Sequence, residues 1–129
     1  MPMTKDEVFA KIKEVLTTAL AVDDDEVKPE SKLIEDLGAE SIDFLDIQFQ
    51  IEKAFGFKIP KGELMPDTSL FSNPEYVQNG KMTPKGVAEI KSKMPFADLS
   101  AFEADPDISK FKDVFTVDML VRYVMTKVG

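Results

Sequence analysis

A hydroxyl at the mouth of a helix is the most promising reactive group in this chain. Ser41 sits in Leu37-Gly38-Ala39-Glu40-Ser41-Ile42-Asp43, where a loop gives way to a helical pattern. The ordinary task of such a hydroxyl is to cap the helix. Covalent chemistry is the alternative, and composition narrows its kind. The chain has no Cys and no His. A thiol nucleophile, a disulfide, a Ser-His-Asp triad and the common zinc ligand sets are therefore excluded. A phosphodiester on Ser41 would put negative charge where helix amides and the macrodipole favour it. Glu40 and Asp43 on either side would suit the approach of a basic modifying enzyme.

The residues around Ser41 extend this picture into a surface. Between Leu33 and Pro60 stand six acids (Glu35, Asp36, Glu40, Asp43, Asp46, Glu52) against two bases, Lys53 and Lys58. Apolar Ile42 and Phe49 lie among them. A charged rim around a small apolar patch is a transient docking face for a basic partner. The whole chain is acidic as well, with a net charge of −8, which argues against nucleic acid. The acid run Asp23-Asp24-Asp25-Glu26 raises the question of calcium. Counted from Asp24, however, Lys28 fills a ligand place and Pro29 replaces the glycine that an EF-hand turn needs. No metal site is expected there.

Helical elements must position this face. Thr4-Lys5-Asp6-Glu7 has capping-box spacing. Val8, Phe9, Ile12, Val15, Leu16, Ala19 and Leu20 keep helical period to about Ala21. Residues 27–40 form a long loop. In it Leu33 and Leu37 serve as core anchors, and Gly38 permits positive φ. A second helix runs from about Ser41 to Phe55 and is stopped by Gly56, with Pro60 barring continuation. Its apolar set (Ile42, Phe44, Leu45, Ile47, Phe49, Ile51, Phe55) is too large for one stripe, so some members must face away from the core. Thr83-Pro84 resembles an N-cap with Pro at N1, opening a short helix through Val87, Ile90 and Met94. Phe96, Leu99 and Phe102 are expected in a compact loop or further turn. Thr116 opens the last helix, with Val117, Leu120, Val121, Val124 and Val128 on its apolar face. Strand signals are weak. The 129 residues predict one all-α domain, a small bundle of three main helices and one or two short ones. The Met1-Pro2-Met3 start leads directly into helix one, and no apolar run reaches the ~20 residues of a membrane span. The expected location is cytoplasmic, and the expected state a monomer.

At this point the residues meet a family. Leu37 to Asp43, followed by Phe44-Leu45-Asp46-Ile47 and by Glu52-Lys53-Ala54-Phe55-Gly56-Phe57-Lys58-Ile59-Pro60, resembles the acyl carrier proteins. The family pattern is a Leu-Gly-Ala/Gly-Asp-Ser-Leu-Asp stretch opening a helix that ends near Phe-x-x-x-Ile-Pro. The resemblance covers about residues 4–60 and 113–128. It implies an acyl-carrier-like bundle that is not an enzyme and has no catalytic residues. Ser41 would take 4′-phosphopantetheine from coenzyme A by the action of a phosphopantetheinyl transferase, and the thiol of the arm would hold an acyl chain as a thioester. Carried over by position, Glu40, Ile42, Asp43, Asp46, Phe49 and Glu52 would form the partner-docking helix. Leu45, Ile51 and Ile59 would line the acyl pocket. The implied setting is fatty-acid, lipid or polyketide-type biosynthesis, with acyl-transferring and acyl-modifying enzymes as partners. An unmodified interaction module of the same fold, or a carrier of aminoacyl groups, are the rival readings.

Departures from the family pattern stand out, among them Phe44 and Phe49, which are bulkier than the usual residues there. Glu40 occupies the usual Asp position, and Lys53 replaces a usual acid. The link between Ile59-Pro60 and the last helix is also much longer than in the ordinary family member. This insertion, at about 61–113, is rich in apolar residues: Leu64, Met65, Leu70, Phe71, Val87, Ile90, Met94, Phe96, Leu99, Phe102 and Phe111. It could wall an acyl cavity or address a dedicated partner. Lys85, Lys91 and Lys93 against Glu89 predict a locally basic helix, expected near the acidic second helix and tuning access to it.

Overall fold

The computed structural model describes residues 3–60, 64 and 72–128, with Ser41 described by its backbone alone. Met65, Leu70 and Phe71 of the expected apolar set lie outside the described residues. The contacts fall into two compact units. One joins residues 1–59 to 115–129, and the other spans 60–114.

In the first unit, α1 (Lys5–Leu20) begins as its capping box requires. The Thr4 hydroxyl accepts the Glu7 amide at 3.2 Å, and the Glu7 carboxylate accepts the Thr4 amide at 3.1 Å. These bonds to Thr4 hold the Glu7 carboxyl below the usual carboxylate range. Val8, Ile12, Val15 and Leu16 are buried on one face, and Ala21 closes the helix in the left-handed region at φ 56°. The acid run that follows makes a single 3-10 turn, Asp24–Glu26.

The second helix, α2, spans Ser41–Phe55 and ends at Gly56 with φ 76°. Here glycine matters, because the left-handed conformation costs other residues more. The excess of apolar residues on α2 resolves into two triads. Phe44, Ile47 and Ile51 are buried, whereas Ile42, Leu45 and Phe49 are 72%, 70% and 57% exposed. Both sets have i, i+3, i+7 spacing. They are offset by two residues, about 200° around a helix, and so occupy opposite faces.

The last helix, α5, runs Val117–Val128. Thr116 lies just before it, and its hydroxyl accepts the Met119 amide at 3.1 Å. Val117, Leu120, Val121 and Val124 are buried as their spacing predicts, joined by Met119 and Tyr123. Helix α1 packs against both α2 and α5, which gives the small helical bundle. Aromatic contacts tie the elements further, Phe44 to Phe115 at 5.7 Å and Phe57 to Tyr123 at 6.3 Å between ring centres.

The second unit holds a short antiparallel hairpin, β1 (Val77–Gln78) and β2 (Lys81–Met82), paired Val77 to Met82 and Gln78 to Lys81. Asn79 and Gly80 between them have φ 54° and 76°, the two positive values of a primed hairpin turn. Helix α3 (Pro84–Lys93) follows, capped by the Thr83 hydroxyl on the Gly86 amide at 3.1 Å with Pro84 in its first turn. Helix α4 (Ser100–Ala104) and a 3-10 segment, Ile108–Val114, complete it. Leu64, Met82, Ile90, Met94, Phe96, Leu99, Phe102 and Phe111 are buried, and Phe102 meets Phe111 edge to face at 5.3 Å.

Lysines of this unit are paired locally. Lys85 meets Glu75 at 3.0 Å, Lys91 meets Glu103 at 2.8 Å and Lys93 meets Glu89 at 3.6 Å. The locally basic helix expected from sequence is thus countered by acids of its own unit, two of them from outside α3. Lys110 bonds Asp105, which holds that carboxyl below its usual range.

Candidate functional site

The site is built on the loop that enters α2. Residues 27–40 are pinned by main-chain bonds to the segment that opens α5. The Leu33 amide donates to the Phe115 carbonyl at 2.9 Å, Val117 to Ser31 at 3.0 Å and Asp118 to Pro29 at 2.8 Å. Lys32 and Thr116 form an isolated antiparallel bridge. Ser31, a buried hydroxyl, is satisfied: it donates to the Glu26 carbonyl at 2.9 Å and accepts the Lys28 amide at 3.0 Å. Leu33 and Leu37 are buried as the expected anchors, and Gly38 has φ 72°. The loop doubles back so that the Ala39 amide donates to the Leu33 carbonyl at 2.8 Å. Such a loop delivers residue 41 to a fixed place.

Ser41 is the first residue of α2, not its cap. Glu40 is the capping residue, with extended backbone. The Asp43 carboxylate accepts the Glu40 amide at 2.8 Å, and the Asp43 amide donates to the Glu40 carbonyl at 2.9 Å. Asp43 therefore has a local role that the sequence reading missed. The signal was the three-residue spacing from Glu40, masked because a Glu seldom caps a helix.

The other expected site residues divide. Glu40, Ile42, Asp46 and Phe49 stand exposed on α2, and Asp43 is half-buried. Glu52 turns to the exit of the helix, where its carboxylate accepts the Ile59 amide at 2.7 Å. That bond ties Ile59, itself half-buried, to the last turn of α2. Ile51 is fully buried. Leu45 departs from its expected place in a pocket. It stands with Ile42 and Phe49 on the outer face, two hundred degrees from the buried triad. Sequence reasoning also missed a cation over an exposed ring: the Lys53 ammonium lies 5.2 Å from the centre of Phe49. A groove of about 610 Å³ runs beside that pair between α1 and α2, lined by Lys11, Glu14, Val15, Asp46, Phe49 and Lys53 among others.

Among the described residues there is no group of acids that could hold a metal ion, and no helix is long and apolar enough to cross a membrane. The arrangement instead offers an anchored loop, a helix start and an exposed apolar stripe flanked by acids.

Comparison with known proteins defines the class. The family described as "Phosphopantetheine attachment site" matches residues 10–71, a stretch that contains α1, the anchored loop and all of α2. An acyl carrier protein of Thermotoga maritima is 33% identical over 75 residues, covering 58% of this chain and 93% of that protein. Another, from Rubrobacter xylanophilus, is 37% identical over 75 residues, with the same coverage of 58% and 93%. "Acyl carrier protein AcpXL" of Brucella melitensis is 50% identical over 52 residues, 40% of this chain and 56% of that protein. The chain belongs to the acyl carrier protein family. It is accordingly a carrier and not an enzyme, and its cofactor is 4′-phosphopantetheine.

The residues present fit that group. A side chain built on Gly38 would meet nothing within 4 Å, so the approach beside the loop is open. The start of α2 supplies the positive end of a helix dipole for a phosphodiester. The exposed flanks at Glu40 and Ile42 leave room for a modifying enzyme.

Proposed function

We propose that Ser41 is the attachment residue and that the chain carries acyl groups as thioesters for fatty-acid, lipid or polyketide-type biosynthesis. The observation that supports this reading most is the position of Ser41: first residue of α2, directly after an anchored loop, within the stretch matched by the phosphopantetheine family. A phosphopantetheinyl transferase would transfer the arm from coenzyme A to the Ser41 hydroxyl, with release of adenosine 3′,5′-bisphosphate. Glu40, Ile42, Asp43, Asp46 and Phe49 then present the face to which acyl-transferring and acyl-modifying enzymes with basic surfaces dock. Glu52 adds charge while holding Ile59. Ile51 and Ile59 remain the residues assigned to the acyl pocket, and Leu45 joins the docking face. In this reading residues 60–114 elaborate a single carrier domain that acts as a cytoplasmic monomer.

Intact mass after incubation with coenzyme A and a transferase tests the assignment. The full chain gains one phosphopantetheinyl group, and Ser41→Ala gains none. An unchanged mass in the wild type, or equal loading of the variant, overturns it. Thioester mass from native cells then separates acyl from aminoacyl cargo.

A further inference from the structure

The docking face of α2 is not uniformly acidic. Its exposed stripe starts at Ile42 and Leu45, flanked by Glu40, Asp43 and Asp46, and ends at Phe49 beneath the Lys53 ammonium. A second cation reaches the same end from α1. The Lys11 ammonium donates to the Ala54 carbonyl at 3.2 Å and lies 5.6 Å from the Phe55 ring centre. Both lysines are exposed and both line the groove beside Phe49, together with Glu14 and Asp46. There the Asp46 carboxylate accepts the Gln50 side chain at 3.0 Å, whereas Glu40 and Asp43 stand at the N-terminal end of α2.

We propose that this polarity selects the partner: the face fits a protein surface that sets an apolar side chain against Phe49, basic residues against Glu40 and Asp43 at the start of α2, and an acidic residue against Lys53 near its end. The inference rests on the reading of α2 as a docking helix. An all-basic partner surface would bring a cation against Lys53 at the Phe49 end of the stripe, and like charges in contact raise the free energy of the wrong complex. A mixed surface pairs at both ends. Holding Lys53 over an aromatic ring fixes the charge in place, so less freedom is lost when a partner carboxylate meets it.

Lys53 also lies in the last turn of α2, where a cation suits the helix dipole. A dipole role alone changes stability and leaves partner preference untouched, which gives the test its handle. Two synthetic amphipathic helical peptides with the same central leucine serve as probes. One carries arginines at both ends, the other arginines at one end and glutamates at the other. They are titrated into the full-length, isotope-labelled protein. The mixed peptide is expected to bind about threefold tighter than the all-basic one, with amide shifts centred on Phe49 and Lys53. Lys53→Glu inverts the ranking, and Lys53→Arg keeps it. Equal or better binding of the all-basic peptide to the wild type, an unchanged ranking in Lys53→Glu, or no measurable binding of either peptide overturns the proposal. The same preparations are weighed after treatment with coenzyme A and transferase. Loading without charge preference sinks the polarity alone, and charge preference without loading sinks the carrier reading alone.

Discussion

The outward faces of α2 and α3 treat their side chains in opposite ways. On α2, three large apolar residues stand in solvent beside acids, an arrangement that folding by itself does not reward. On α3, the outward lysines meet Glu75, Glu89 and Glu103, and the apolar Ile90 is turned inward. One helix leaves large apolar side chains uncovered, and the other pairs its charges within its own unit. Function in this chain is therefore sought first on the helix that looks less finished.

The sharpest way to break that contrast is Ser41→Ala. It removes all phosphopantetheinyl loading by intact mass while leaving thermal unfolding within about 0.5 kcal/mol of wild type. Gly86→Ala comes next. Alanine ordinarily favours a helix, but here its Cβ would lie 2.4 Å from the Tyr76 carbonyl oxygen and 2.6 Å from Met82 Cγ. A loss of about 2 kcal/mol is expected, read by hydrogen exchange as weaker protection in residues 72–114. Phe49→Ala should cost about tenfold in affinity for a carrier-dependent enzyme, with an unchanged melting temperature, because the ring is largely exposed. Equal loss of binding from a surface change on α3 would erase the distinction. The smallest effect is Lys91→Ala: under about 0.5 kcal/mol in stability for an exposed ion pair, and no change in partner affinity.

Legibility followed the same division. Thr4 and Glu7 announced α1 because a capping box is a local, reciprocal pair of bonds. Gly56 and Pro60 bounded α2, and Thr83-Pro84 marked α3 for the same local reason. Leu45 was expected in the pocket and stands exposed instead, because the exposed and buried triads of α2 have identical spacing and only the tertiary fold chooses between them. The hairpin was overlooked because two-residue strands show no alternation, although Asn79-Gly80 is a strong turn signal. The partners of Lys85 and Lys91 were illegible for a different reason: Glu75 and Glu103 lie ten and twelve positions away from them. The family was legible because its pattern, from Leu37 to Asp43, is written in contiguous residues.

The bridge between Lys32 and Thr116 joins parts of the chain separated by the whole second unit. That separation bears on the order of folding. Closing a flexible tether of about 55 residues instead of about five costs roughly 2 kcal/mol in chain entropy, by the logarithmic dependence on length. A second unit that collapses early replaces the fluctuating tether by one of fixed span. The search of α5 for its seat beside α1 would then be shorter, offsetting part of that cost.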